Sequence, residues 1–284
     1  MGPELRRAAG LALLLAACSA TADVEAGRAA LDAHALSEAE RHFRAALDRE
    51  PGHVGALGGL GWTYQVAGQR EAARASFQRC LDAAPTEPEC LRGLASVALA
   101  EGELGQARTL LATAKAEAPD DLRVEGSLAL LALASGEVER AAERYARLVA
   151  LAPEVPEYRL GAAECALRQG RPLDAISAAD VLIADPKLPR RQRAVVLQLK
   201  ARALISATEG REDPANCEAS APPLRAWLDA AEHAVTEAEA VGVGLPELPA
   251  VRRQIHRRRA VIEQVCPAAQ PSAAELLGAP PAAP

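Results

Sequence analysis

The sequence predicts an all-α fold: a solenoid of about six helix–turn–helix units, closed by a C-terminal capping helix. Three observations predict it. Pro51, Pro85, Pro119 and Pro153 follow one another at intervals of 34 residues, a period that suits one helix pair with its turns. The residues between them keep phase. An alanine stands twelve positions before each proline (Ala39, Ala73, Ala107, Ala141), and a large apolar residue eight before (Phe43, Phe77, Leu111, Tyr145). Glycine stands seventeen before it at Gly68, Gly102 and Gly136, where the first unit has His34. Third, aromatic residues are only 2% of the chain. Alanine and leucine must then supply the contacts, which suits thin, closely packed helices better than a broad core.

In this register the units are 20–53, 54–87, 88–121, 122–155 and 156–189. The fifth keeps Gly170 and Ala175, but its proline slips one place, to Pro186. First helices carry apolar residues at three- and four-residue spacing, such as Leu57, Leu60 and Tyr64, and second helices repeat the stripe with Ala72, Ala73, Phe77 and Cys80. Each proline ends a second helix, because its ring removes an N–H and clashes with the preceding turn. Small residues are expected where helices approach closely, and no unit can bury its apolar face alone. Five units therefore fill 22–189. Beyond them 190–241 reads as a degenerate sixth repeat, with a first helix at 191–206 and its partner near 223–241. An insertion, 207–222, separates the two and reads as a loop from Gly210, Pro214, Asn216, Pro222 and Pro223. The capping segment, 242–266, holds a helix at about 247–265 with Val251, Ile255, Ile262 and Val265 on one stripe. The Ala/Pro-rich tail, 267–284, lacks periodicity and is expected to be disordered.

The second unit contains Leu57, the pair Leu60-Gly61, Tyr64, Gly68, Ala73, Phe77 and Pro85. This pattern resembles the tetratricopeptide repeat (TPR) family, in which a Leu-Gly pair and a tyrosine mark the first helix, and an alanine, an aromatic and a closing proline the second. The resemblance covers about residues 20–189 and continues weakly to about 240. It implies a right-handed superhelix whose concave groove, lined by first helices, binds protein partners. Carried over residue by residue, the groove comprises Trp62, Gln65 and Val66 in the second unit and Glu89, Arg92 and Ser96 in the third. Arg123, Gly126 and Leu130 follow in the fourth, and Glu157, Glu164 and Arg168 in the fifth. The lysine–asparagine clamp of some chaperone-binding members is missing, since Gly58 and Trp62 stand where its first lysine and asparagine would be. Trp62 lies off the family's packing-tryptophan position, where Leu57 stands. It reads either as a half-exposed anchor or as a ring covered by Leu31 or Val66. The mixed charges suit an extended or helical peptide with an apolar anchor and flanking charges.

The N-terminus carries a second resemblance. Arg6 and Arg7 precede a short apolar run, Leu11 to Ala17, too short to span a bilayer. It ends in Leu15-Ala16-Ala17-Cys18, which is similar to the lipobox of bacterial lipoproteins. The resemblance implies a signal peptide over 1–17, lipid on Cys18, and a linker of only 18–21 before the helical pattern begins near Ala22. Ser19 implies sorting to the outer membrane, with the protein facing the periplasm.

The formal net charge of −6 argues against general nucleic-acid binding, and removal of the signal makes the chain more acidic still. The basic run Arg252, Arg253, Arg257, Arg258 and Arg259 reads as a solvated face of the capping helix. His34, His42, His53, His233 and His256 form no metal-binding motif, and no glycine loop suits a phosphate. No metal or cofactor is expected. Gly58-Gly59-Leu60-Gly61 is read as helix packing, with Gly61 in the small-residue slot. Cys80, Cys90 and Cys165 fall where the family has alanine and read as core filler, and a Cys80–Cys90 bridge across the Pro85 turn stays open. Cys217 and Cys266 lie outside the repeats and are candidates for a disulfide, or else two unrelated thiols.

The expected function is that of a non-catalytic, membrane-anchored adaptor binding protein partners in the cell envelope. Similar lipoproteins assist assembly of outer-membrane pores, including type IV pilus secretins, or scaffold peptidoglycan enzymes, and the residues do not choose between these. The alternatives are a cytoplasmic co-chaperone, should the signal be spurious, and an enzyme with its site in 207–222.

Overall fold

The computed structural model describes residues 20–267. The signal segment, Cys18 and the tail from residue 268 lie outside the described residues. Within them the secondary structure is helical and without strands. Helix α1 covers 20–32. It is followed by α2 (Leu36–Arg49), α3 (Val54–Val66), α4 (Arg70–Ala83), α5 (Pro88–Glu101), α6 (Leu104–Glu117), α7 (Leu122–Ala134) and α8 (Val138–Leu151). Then come α9 (Pro156–Arg168), α10 (Pro172–Ile183), α11 (Arg190–Thr208), α12 (Cys217–Ala240) and α13 (Leu248–Val265). The chain divides into two compact units, with the boundary between Leu148 and Val149.

The first unit obeys one set of local rules. Residues 34, 68, 102 and 136 all have positive φ, between 58° and 80°. Each sits just past a first helix, and the residue after it donates its N–H to a carbonyl five positions back: Gln69 to Tyr64, Glu103 to Ala98, Glu137 to Ala132, and Ala35 to Ala30. This is the left-handed helix C-cap, for which glycine carries no Cβ penalty. The recurrent glycines therefore turn the chain. A Cβ at Gly68, Gly102 or Gly136 would meet nothing within 4 Å, so these glycines serve the turn and not a close contact. His34 makes the same turn without being glycine.

Close approach occurs elsewhere. A Cβ on Gly27 or Gly59 would fall 2.7 or 2.3 Å from the Phe43 ring, and one on Gly61 or Gly93 would fall 2.5 or 2.3 Å from the Phe77 ring. Each phenyl ring thus lies against two glycines on the flanking first helices. At the next repeat the knob is Leu111, and Ala95 occupies the register position of Gly61, both fully buried. Second helices stop two residues before the repeat proline. Glu50, Ala84 and Ala118 take extended or nearly extended backbone there, the conformation a following proline imposes. Ala39, Ala73, Ala107 and Ala141 are fully buried. A Cys80–Cys90 disulfide ties α4 to α5 across the Pro85 turn, which settles the pair as a bridge rather than as filler.

The second unit keeps the turn at Gly170 (φ 72°) and the buried Ala175, but its next core position is the small Ala179. Bulk comes from longer helices: α11 has 19 residues and α12 has 24. Leu197, Leu228, Ile255 and Ile262 join one core cluster across α11, α12 and α13.

Two boundary expectations are corrected. Residues 20 and 21 are already helical, so the stretch 18–21 is not a free linker throughout. The segment 207–222 is not all loop: α11 continues to Thr208 and α12 begins at Cys217, leaving only 209–216 between them. Pro222 and Pro223 lie inside α12. They remove two helical hydrogen bonds, but Ala221 and Leu224 are buried against the core and Cys217 is bonded to Cys266. Tertiary packing and a covalent tie override the local preference.

Candidate functional site

In the first unit, α3 packs on α5 and α5 on α7. This places first-helix side chains in a row. The Trp62 indole meets the Phe77 ring edge-on, with centroids 5.2 Å apart. The Arg92 guanidinium lies 4.2 Å from the centre of the Trp62 ring, near enough for a cation–π attraction. Trp62 is therefore a half-buried platform, packed against Phe77 and roofed by an arginine. One turn along, Gln65 Nε2 donates to Ser96 Oγ at 3.3 Å. Arg28 on α1 faces Glu89 on α5 at 3.8 Å. The Asp121 carboxyl accepts from the Arg123 N–H at 2.8 Å and from its guanidinium at 2.9 Å. Those Arg123 bonds, with Arg92 nearby, hold Asp121 below the usual carboxylate range. Leu130 is left 46% exposed on α7. Trp62 Nε1 and Gln65 Oε1 are buried with no hydrogen-bond partner among the described residues.

The structure thus brings Trp62, Gln65, Glu89, Arg92 and Ser96 together. Arg123 joins them through Asp121, and sequence reasoning missed both Asp121 and Arg28. An i,i+2 Asp-x-Arg at the start of α7 was the available signal for the first.

The remaining predicted residues form a separate set in the second unit. Glu164 accepts from Arg168 at 3.0 Å and from both terminal nitrogens of Arg202 at 2.9 and 3.1 Å. Arg202 stands one repeat period after Arg168, a signal the register contained. Glu157 pairs with Gln192. The basic run on α13 is not a uniformly solvated face. Arg252 bonds Glu232 and Glu239, Arg259 pairs with Asp229, and Arg258 is largely buried against Glu212 and Thr208. Arg253 and Arg257 remain exposed.

The 209–216 connection is used structurally. Arg211 stacks over Trp227 at 5.3 Å, Glu212 pairs with Arg258, and the Cys217–Cys266 disulfide pins the start of α12 to the end of α13. Burial pushes the free Cys165 thiol up to about 11, so it is not a thiolate nucleophile at neutral pH. No group of three metal-ligating side chains occurs among the described residues, and no described helix is long and apolar enough to cross a membrane.

Paired helices that present a row of first-helix side chains define a helical-repeat protein. Two family models, both described as Tetratricopeptide repeat, match the chain: one over 30–79 and 67–131, the other over 127–189. Together they span more than half of it, and the chain belongs to the tetratricopeptide repeat family. Among solved structures it is similar to that of Pseudomonas aeruginosa pilF, with 16% identity, 86% of this chain and 97% of that chain covered, and a TM-score of 0.53. A thermophilic TPR protein of Thermus thermophilus matches at 19% identity over 63% of this chain and 98% of that one, with a TM-score of 0.56. The Cut9–Hcn1 hetero-tetramer of the APC/C matches at 14% identity over 84% of this chain and 42% of that one, with a TM-score of 0.62. These likenesses concern the fold. Among curated protein sequences none matches the chain.

Proposed function

We propose that this protein is an adaptor of the bacterial cell envelope, tethered to the outer membrane by lipid on Cys18, that holds an extended or helical segment of a partner protein along its first-helix face. TPR proteins are in general non-catalytic scaffolds for protein–protein interaction, and the family assignment carries that much. The observation behind the choice of site is the row Trp62–Arg92–Asp121–Arg123, flanked by Gln65–Ser96 and Arg28–Glu89. Tryptophan and arginine dominate interface energetics once a partner excludes water from them. The two orphaned polar atoms beside them would gain hydrogen bonds if a bound segment shifted the side chains.

Two features support the compartment. The residues around Cys18 resemble a lipobox, and four of the six cysteines are paired in disulfides, a state that persists in oxidising compartments such as the periplasm. More than one acyl chain is needed for stable anchoring.

Capture from solubilised envelope tests the site. Trp62→Ala or Arg92→Glu should weaken partner capture by about 2 kcal/mol, roughly thirtyfold, with helix content unchanged. Capture at parental strength by both variants would remove the first-helix row from consideration. Fractionation tests the anchor: Cys18→Ala should leave the protein uncleaved or soluble in the periplasm, and normal processing with membrane retention after a salt wash would rule lipidation out.

A further inference from the structure

Within the second unit, residues of α9, α11 and α13 line an open depression of about 490 Å³. Leu167, Ile205 and Val261 supply its apolar lining. Val261 is 41% exposed, one of the few large aliphatic side chains left open. Arg168, Arg202, Arg257 and Arg258 also line it, with Glu209 as the carboxylate among the lining residues. Glu164 serves both Arg168 and Arg202, and Glu212 serves Arg258. The guanidinium groups thus outnumber the carboxylates around them. Arg257 has neither an ion pair nor a hydrogen bond among the described residues.

An arginine without a partner, in a depression shared with the open side chain of Val261, fits one ligand chemistry: a carboxylate next to an apolar side chain. The guanidinium fork binds a carboxylate through two parallel hydrogen bonds, and Leu167, Ile205 and Val261 would cover the neighbouring side chain. The whole chain is acidic, so a local cationic depression is a contrast that steers an acidic segment to this place. We propose that this depression is the docking site for an acidic, leucine-like segment of the partner protein, with Arg257 as the carboxylate-binding residue. The inference rests on the adaptor reading and adds to it a ligand class and a place in the second unit.

The test uses the purified protein and a fluorescein-labelled octapeptide of alternating leucine and glutamate, read by fluorescence anisotropy. Arg257→Glu should weaken binding at least about tenfold, as should replacing the peptide's glutamates by glutamine. Val261→Asp should weaken it through the apolar side. Arg79→Glu makes the same change in net charge at an exposed residue of α4 and should leave affinity within about twofold. Arg257 is exposed, so its reversal should not change the melting curve.

The proposal is overturned if the peptide does not bind, if its glutamine form binds as tightly, or if Arg257→Glu binds like the parent. It is also overturned if Arg257 governs binding to phosphatidylglycerol vesicles and not to the peptide, which would assign the basic rim to a membrane surface. Loss of peptide binding alone leaves the adaptor reading standing. Capture that ignores both Trp62 and Arg92 counts against the first-helix row whatever the peptide does.

Discussion

In residues 20–148, every 34 residues bring the same partners together, whereas in residues 149–267 only the Gly170 turn and the buried Ala175 keep that pattern and most other contacts are made once. Phe43 and Phe77 each lie between two glycines, and where the knob shrinks to Leu111 the facing Gly61 position becomes Ala95. Volume is conserved in register, so the core of the first unit is a property of the period. In the second unit the corresponding knob is only Ala179. Stability there draws on longer helices, on a disulfide between residues 49 positions apart, and on ion pairs such as Arg225–Glu263 and Arg258–Glu212. A repeat can rely on nearest-neighbour volume matching, while an end without a next repeat needs ties of long sequence separation.

This contrast can be broken from either side. The largest effect is expected from Phe77→Ala, which empties a pocket walled by Gly61, Gly93 and Trp62. Loss of about 4 kcal/mol in urea unfolding is expected, with Trp62 fluorescence as an added reporter, and a loss under about 1 kcal/mol would show that the wall collapses freely. Next comes Cys217→Ser with Cys266→Ser, worth up to about 4 kcal/mol on chain-entropy grounds. Its mark should be proteolysis confined to α12 and α13. Breaking Cys80–Cys90, which spans ten positions, should cost less, about 3 kcal/mol. If the short bridge proves the more valuable one, the second unit does not depend on its clamp in the way argued.

His34→Gly should act in the opposite direction. With φ at 58°, His34 is the one non-glycine in the left-handed turn series, so the exchange should raise stability by about 1 kcal/mol. A lower melting temperature would mean that the imidazole makes contacts worth more than the strain.

The smallest effect concerns pH. Burial pushes the Glu125 carboxyl up, but Lys115 and Arg144 outweigh it and hold it below the usual range. A depressed folded value means that this ionised carboxylate adds stability above its unfolded value near 4.5. That contribution fades as pH falls through the lower folded value. Glu125→Gln should therefore cost less than about 1 kcal/mol at neutral pH and nothing in strong acid. A cost that does not vary with pH would make the loss one of packing.

The period, the helix pairs, the buried alanine series and the closing prolines are all legible in the sequence, because each depends on neighbours within one repeat. The sequence also brought Trp62 and Arg92 into one groove set, since register alone places first-helix residues in a row. It did not separate the two uses of glycine, because a residue without a side chain serves a tight turn and a close contact equally well, and only φ tells them apart. It placed a loop over Pro222 and Pro223, which break helices locally and were outvoted by burial of Ala221 and Leu224 and by the Cys217–Cys266 bond. Which arginines of α13 pair with carboxylates, and that Arg257 is left lining the depression, follows from contacts between distant parts of the chain. Their partners, Glu212, Asp229, Glu232 and Glu239, lie 13 to 46 positions away in the chain, and no periodicity encodes a contact that is made once.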